Sequence, residues 1–336
     1  MDRSLQVTLH YIVVKRKELM KNNIITILSI LFLSVTTNAQ EFNLPINNQF
    51  IADNQFLLSA AFAGIGDAWQ ARGTGFQQWV GIDDAPSTQS LSIDGRIADR
   101  TGVGLVLFND SNGFTSQKGV QASFAHHLTL SEYNHRQYLS FGISYKFNQF
   151  EIDSSEFNRV IAAVDGDIVA TNHNFDLSAL YRIGSFFISL NAINILEKTI
   201  DEFDGLAEPP SITSYYAFTG FVFKNLFKDL EYEPSLLYTN FASDPRSTID
   251  VNFRVRKFYK EDYFWGGLTF RGLIDQDFTP VNISPSIGLA KSNFYFAYSY
   301  QLNLNESLQL TNNLGSHLIT VGIDFFKRKS NCGCTY

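Results

Sequence analysis

The sequence is poor in the features that would give it away quickly. Its 336 residues include only two cysteines, too few for a disulfide scaffold. Downstream of residue 40 no run approaches 18 consecutive apolar residues, which excludes a transmembrane helix there. Basic residues are in the minority, 26 Lys and Arg against 33 Asp and Glu for a formal charge of −7. Nucleic acid is therefore excluded as the main partner, because phosphate binding needs a basic surface. Charged residues reach only 18%, whereas 15% are aromatic, with 31 Phe, 15 Tyr and 3 Trp. Disordered chains show the opposite balance. A mean hydropathy of −0.06 is too low for a helical membrane protein. It suits a soluble all-β protein, or a membrane barrel in which only alternate residues meet lipid.

Residues 20–40, MKNNIITILSILFLSVTTNAQ, read as a secretory address. Lys21 supplies the positive start, residues 24–35 form an apolar stretch too short to span a bilayer, and Thr37-Asn38-Ala39 offers small residues for cleavage. The expected start of translation is Met20, with residues 1–19 an upstream extension, and the expected cut follows Ala39. Residues 1–39 carry Arg3, Lys15, Arg16, Lys17 and Lys21 against Asp2 and Glu18. The remaining chain is thus three charges more negative than the whole. The organisation expected is an extension and signal peptide over 1–39, a periplasmic lead over 40–68, a barrel over 69–328 and a periplasmic tail over 329–336.

From residue 69 the dominant pattern is period-two alternation. Ile249, Val251, Phe253 and Val255 oppose Thr248, Asp250, Asn252, Arg254 and Arg256. Leu139, Phe141, Ile143, Tyr145 and Phe147 oppose Tyr138, Ser140, Gly142, Ser144 and Lys146. The same holds for Phe175, Leu177, Ala179 and Tyr181, and for Ile319, Val321, Ile323 and Phe325. A helix would need apolar residues at i, i+3, i+4 and i+7, and Phe, Tyr, Val and Ile favour strands. The second face is polar and often small, which fits a lumen better than a sandwich core. The fold class expected is all-β, a transmembrane antiparallel β-barrel of about 14 strands. Their spans are 69–79, 87–97, 102–110, 118–130, 136–149, 172–183, 185–196, 212–224, 230–240, 247–258, 262–273, 280–290, 292–304 and 316–328. Turns after even strands are short and connections after odd strands mostly longer. Outer-membrane barrels show this asymmetry, with the short turns in the periplasm. Tyr215 with Tyr216, Tyr263 with Trp265, and Tyr298 with Tyr300 are expected in interfacial aromatic girdles.

Chemistry is thinly represented. There is no G-x-S-x-G and no P-loop. Gly102-Val103-Gly104 is half a dinucleotide fingerprint without a following helix, and reads as small lumen residues. His126 and His127 are neighbours on a strand and point to opposite faces, so they do not form a metal pair, and His135 lies in a turn. Cys332 and Cys334 are too close for an unstrained bond. No catalytic, metal or cofactor site is expected, and the chain reads as a non-enzyme. The polar face does carry charges at Lys146, Asp176, Arg182, Asp250, Arg254, Arg256, Arg271 and Asp324. They could line a conduction path or fill the lumen as opposite-sign pairs. The presence of both signs favours pairing, since a selective pore has a one-sided ring.

Three stretches carry a family resemblance. LSAAFAGIGDAWQARGTGFQQWVGIDDAPSTQSLSIDGRI at residues 58–97 is followed by GVGLVLFNDSNGF at 102–114. YFAYSYQLN at 295–303 is followed by GSHLITVGIDFF at 315–326. Together they resemble the PorP/SprF family, outer-membrane proteins of the type IX secretion system in Bacteroidetes. The block from Gln78 to Thr88 and Gly315-Ser316-His317 are the most specific parts. The family's Leu-Asn-Pro-Ala-Tyr/Phe-Ala-Gly start stands here as Leu58-Ser59-Ala60-Ala61-Phe62-Ala63-Gly64. The resemblance implies a cell outer-membrane barrel that assists export or surface anchoring of a cargo protein such as an adhesin, with a link to gliding motility. Its partners would be outer-membrane lipid, secretion components and that cargo.

Within this expectation Gln78, Trp79, Gly81, Asp83, Pro86 and Thr88 form the candidate partner-facing or loop-organising site. Trp79 is amphipathic and suits either a partner pocket or the aromatic girdle. The rival expectation is a passive outer-membrane channel or transporter for small solutes, and a third is a soluble β adhesin.

Overall fold

The computed structural model describes residues 54–80, 82, 84–131, 136–152, 168–196, 213–225, 229–242, 246–304 and 315–326. The chain clusters into Met1–Thr37, none of whose residues is described, and Asn38–Tyr336, which carries everything below. The start at Met20, the signal peptide, the cut after Ala39, residues 40–53, and the tail with Cys332 and Cys334 lie outside the described residues.

The alternating segments become strands, each antiparallel to its neighbours: β1 Trp69–Gln77, β2 Ser87–Ala98, β3 Thr101–Asn112, β4 Thr115–Ser131, β5 Gln137–Ile152, β6 Ile168–Ile183, β7 Phe186–Ile193, β8 Ser214–Phe221, β9 Phe223–Asn225, β10 Leu230–Phe241, β11 Ser247–Tyr259, β12 Asp262–Leu273, β13 Thr279–Lys291, β14 Phe294–Asn303 and β15 Ser316–Phe325. Consecutive strands pair up and down the sheet. β1 closes on β15 from Trp69 against Phe325 to Gln77 against His317. β8 and β9 both pair with β10, over Ser235–Phe241 and Leu230–Tyr232 respectively, and are the two halves of one stave. β10 pairs with β11, so the ring is complete with fourteen staves. Closure leaves no free edge, the condition for strands in hydrocarbon.

One rim is made of tight turns, where Gly184, Lys260 and Ser292 adopt positive φ. Two-residue hairpin turns need that left-handed geometry to match strand twist. At the other rim the connections are mostly longer, although Gly113 and Phe114 alone join β3 to β4.

Burial is inverted relative to a soluble protein. Leu105, Leu107, Phe124, Phe141, Ile143, Leu177, Phe253 and Ile287 point outward, between 39% and 61% exposed. Ser140, Ser189, Asp250 and Ser284 point inward and are fully buried. Such a surface is stable only against lipid. Arginine in place of Phe253, near the middle of β11, is expected to cost about 2–4 kcal/mol. Tyr259→Arg, at the tight-turn rim, is expected to cost less than about 1 kcal/mol. Urea unfolding in lipid vesicles measures both.

The girdle expectation is corrected in part. Tyr298 and Tyr300 do face outward, Tyr298 with its hydroxyl 2.9 Å from Nδ1 of His317. Tyr215 is exposed, but Tyr216 is buried, because adjacent strand residues cannot share a face. Tyr263 and Trp265 turn inward with Phe76, Tyr295 and Leu318. They share the parity of Arg271, which faces the lumen. At the tight-turn rim Trp69 stacks on Phe325, with ring centroids 6.4 Å apart. It lies across Gly95, where a Cβ would sit 2.2 Å from the indole.

Candidate functional site

The lead expected in the periplasm enters the barrel. Residues 54–65 pass through the lumen in two short 3-10 turns, Gln55–Leu57 and Ala60–Phe62. Phe56, Leu58, Ala61, Phe62 and Ala63 are all buried. The cause is composition: this stretch is apolar and small, and the wall beside it is apolar at inward positions. Leu58, Ala61 and Phe62 pack on Leu180, Phe187, Phe218 and Leu237. Phe56 packs on Val106, Phe108 and Ala125. Each large side chain so buried contributes about 1.5–3 kcal/mol.

Polar contacts fix the plug in register. The Asn54 amide donates to the Ser92 hydroxyl at 3.0 Å, and the Ala61 N–H to the Ser178 hydroxyl at 3.0 Å. The Gly64 N–H donates to the Asp94 carboxylate at 2.9 Å, and Arg96 Nε donates to the Gly64 carbonyl at 3.0 Å. His127 Nε2 lies 3.0 Å from the Ala63 carbonyl, and Nδ1 lies 2.8 Å from the Ser140 hydroxyl. A carbonyl only accepts, so Nε2 carries the proton and donates. His127 is a plug clamp, and among the described residues no cluster of metal-ligating type forms. A cavity of about 20 Å³ remains between plug and wall, with Leu57, Leu58 and Ile193 on its apolar side and Gln121, Lys146 and Asp176 on its polar side. It has room for about one water.

Seven of the expected lumen charges occur in opposite-sign contacts. Lys146 meets Asp176 at 2.9 Å, Arg271 meets Asp250 at 2.6 Å, and Asp324 meets Arg72 at 2.7 Å. Arg254 and Arg256 both reach Glu233, at 2.5 and 2.9 Å, and Arg256 also reaches Glu231 at 3.2 Å. The Arg182 guanidinium lies 5.1 Å from the centre of the Tyr138 ring. Arg72, Asp94, Arg96, Glu231 and Glu233 are lumen residues that the charge pattern missed. For Glu231 and Glu233 the available signal is parity, counted back from the outward Leu236 and Tyr238.

The candidate rim block divides in two. β1 ends at Gln77, so Gln78 and Trp79 belong to the β1–β2 loop at the long-loop rim. The Gln78 N–H donates to the Pro86 carbonyl at 2.9 Å, and the Ile82 N–H to the Trp79 carbonyl at 3.1 Å. Trp79 is half-buried, with φ of 44°, and Asp84 has φ of 56°. Left-handed geometry costs a non-glycine residue about 1–3 kcal/mol and persists only where surrounding contacts impose it. Thr88 is buried in β2 and donates to Asp110 at 2.5 Å. Gly81 and Asp83 lie outside the described residues. Gln78, Pro86 and Thr88 organise the loop, while Val80 and Ile82, which the residue pattern did not single out, are its exposed apolar side chains among the described residues.

A family model described as type IX secretion system membrane protein PorP/SprF matches residues 39–323. No curated protein matches the chain. Among solved structures, the toluene transporter TbuX from Ralstonia pickettii is similar at 10% identity, over 80% of this chain and 92% of that one, with a TM-score of 0.46. Omp33, an outer membrane protein of Acinetobacter baumannii, is similar at 8% identity, over 77% and 100%, with a TM-score of 0.43. CdiB from Acinetobacter baumannii is similar at 9% identity, over 76% of this chain, with a TM-score of 0.40; the match spans only 60% of CdiB.

Proposed function

Because this chain belongs to the PorP/SprF family of type IX secretion system membrane proteins, we propose that it is a non-enzymatic accessory of that system in the outer membrane. It assists export or surface anchoring of a partner cargo protein such as an adhesin, and through that partner it is linked to gliding motility. The short-turn rim faces the periplasm and the long-loop rim the exterior, following the asymmetry of outer-membrane barrels. Translation starts at Met20, which the N-terminal mass of the unprocessed product tests, and the signal peptide is cut after Ala39, which the mass of the mature N-terminus tests.

The observation that carries the accessory reading is the plug. Residues 54–65 hydrogen-bond to inward side chains of β2, β4, β6 and β7 and pack their apolar side chains on inward residues of β3, β6, β7, β8 and β10. A lumen so occupied leaves the rims as the working surfaces. In a deletion strain, type IX cargo is expected to fall in the medium and at the cell surface and to rise in the periplasm. Export of every cargo at normal levels would sink the reading.

One observation favours the channel reading. Thr74, Asn252, Thr269, Ser284, Ser286, Ser299 and Thr320 form a neutral polar face on β1 and β11–β15, and no described plug residue hydrogen-bonds to it. Planar-bilayer recording separates the two. The accessory reading expects no steady conductance from the purified barrel, and the channel reading expects one.

A further inference from the structure

We propose that the β1–β2 loop is a docking point for a protein outside the membrane, with Val80 and Ile82 seating in an apolar, basic-rimmed pocket of that partner. This deepens the accessory reading and rests on it for the partner's link to secretion. Val80 is 49% exposed and Ile82 41% exposed at the tip of the long-loop rim. The adjoining β3–β4 turn is tied to this loop by the Gly113 N–H, which donates to the Asp84 carbonyl at 3.1 Å. That bond puts Phe114, 45% exposed, on the same rim.

Exposed apolar side chains on a membrane barrel ordinarily meet lipid, and the register argues against that here. Outward positions on β2 and β3 run in paired rows. Leu91 opposite Leu107 is the last apolar row. Above it stand Gln89 opposite Asn109, whose amides hydrogen-bond at 3.4 Å, and then Ser87 opposite Ser111, whose hydroxyls bond at 2.9 Å. On β1, Gln77 sits level with Ser87. A strand rises about 3.4 Å per residue and is tilted about 35–45° in such barrels, so the two polar rows lift the loop tip roughly 10 Å above Leu91. Val80 and Ile82 are thus separated from the hydrocarbon by a polar belt. An apolar tip beyond that belt is the signature of a protein contact.

The loop is also built to hold its shape. The Gln78–Pro86 and Trp79–Ile82 bonds close it, Gln77 Nε2 donates to the Gln78 and Ala85 carbonyls at 3.3 and 3.4 Å, and Trp79 and Asp84 are held left-handed. A preformed tip loses little conformational freedom on binding. Charge narrows the occupant. Asp84 is exposed beside the tip, and Asp83 precedes it in sequence. A second copy docking by two-fold symmetry would bring the Asp84 carboxylate towards its own kind, whereas a basic rim on a different protein complements it.

The test places a photo-crosslinking residue at Val80, Ile82, Gln89 or Leu91 in the full chain in living cells. The expected result is one protein adduct of a single mass at Val80 and Ile82, absent at Gln89 and Leu91. Asp84→Lys is expected to weaken it about tenfold, because it puts a cation against the basic rim. Adducts only to lipid or lipopolysaccharide, adducts to a second copy, or no adduct would each overturn the proposal. An adduct indifferent to Asp84→Lys would overturn the basic rim. In the deletion strain, V80D/I82D is expected to assemble normally yet leave cargo export defective. If the deletion itself leaves cargo untouched, the secretion reading fails while an adduct still stands. If the deletion abolishes export and V80D/I82D restores it fully, the docking proposal fails alone.

Discussion

Leucine at Gly102 is expected to expel the plug and destabilise the barrel by at least about 3 kcal/mol, the upper end for forcing a large side chain into a packed site. A Cβ on Gly102 would lie 1.9 Å from the Ala63 carbonyl oxygen. That oxygen cannot retreat, because it receives His127 Nε2 and is followed by Gly64, whose own Cβ position lies 2.7 Å from the Gly102 Cα. Gly64 has φ of 70°, a conformation only glycine adopts without strain. The two backbones therefore meet at van der Waals contact through two missing side chains. Displacing the turn also forfeits the Asp94 and Arg96 bonds, each worth about 1 kcal/mol or more when charge-assisted. The control is Gly75, on the outward face of β1 with nothing within 4 Å of its Cβ position. Gly75→Val is expected to be neutral or slightly stabilising, since valine suits a strand. Urea unfolding in vesicles, with protease access to the plug as a second readout, checks both. A Gly102→Leu variant as stable and protected as the parent would show that the plug is not anchored there.

The barrel was legible from alternation because the lipid face and the lumen face differ at every step. Val251 and Phe253 against Asp250 and Asn252 suffice to set β11 and its inward face. The same parity sends Lys146, Asp176, Asp250 and Arg254 inward, whereas Arg72, Asp94, Arg96, Glu231 and Glu233 lie in stretches where the alternation is less regular. The plug did not, although its signal was present. Leu180, Phe187, Phe218 and Leu237 are apolar at inward positions, and Gly102 and Gly142 are missing side chains at inward positions. A lumen face that turns apolar and small needs a packing partner, and Leu58–Gly64 is the nearest apolar small stretch. Local periodicity carries no information about which segment crosses the lumen, because that contact joins residues such as Ala61 and Ser178, 117 apart in the chain. Trp265 was misplaced for a related reason: an aromatic near a strand end matches the girdle pattern, but parity with Arg271 sends it inward. In the β1–β2 loop, composition singled out Trp79, whereas the structure half-buries it and exposes Val80 and Ile82.

Alanine at Glu233 is expected to cost about 3–5 kcal/mol, the range for removing one member of a buried ion pair. Glu233 is 3% exposed and accepts from both Arg254 and Arg256. Without it Arg254, itself 4% exposed, keeps the Trp265 ring at 5.6 Å but loses its carboxylate. The ring compensates in part, since a desolvated cation–π contact is worth about 2 kcal/mol. Arg256 retains Glu231 at 3.2 Å and suffers less. Replacing Glu233 and Arg254 together by leucine and methionine removes both desolvation penalties, and is expected to return most of the lost stability. The comparison distinguishes a packing role from a functional one. If the cluster only braces the wall, export in each variant tracks the amount of folded barrel in the membrane. If the Leu–Met variant is as stable as the parent and still fails to export cargo, the charges at Glu233 and Arg254 act in transport and the bracing account is wrong.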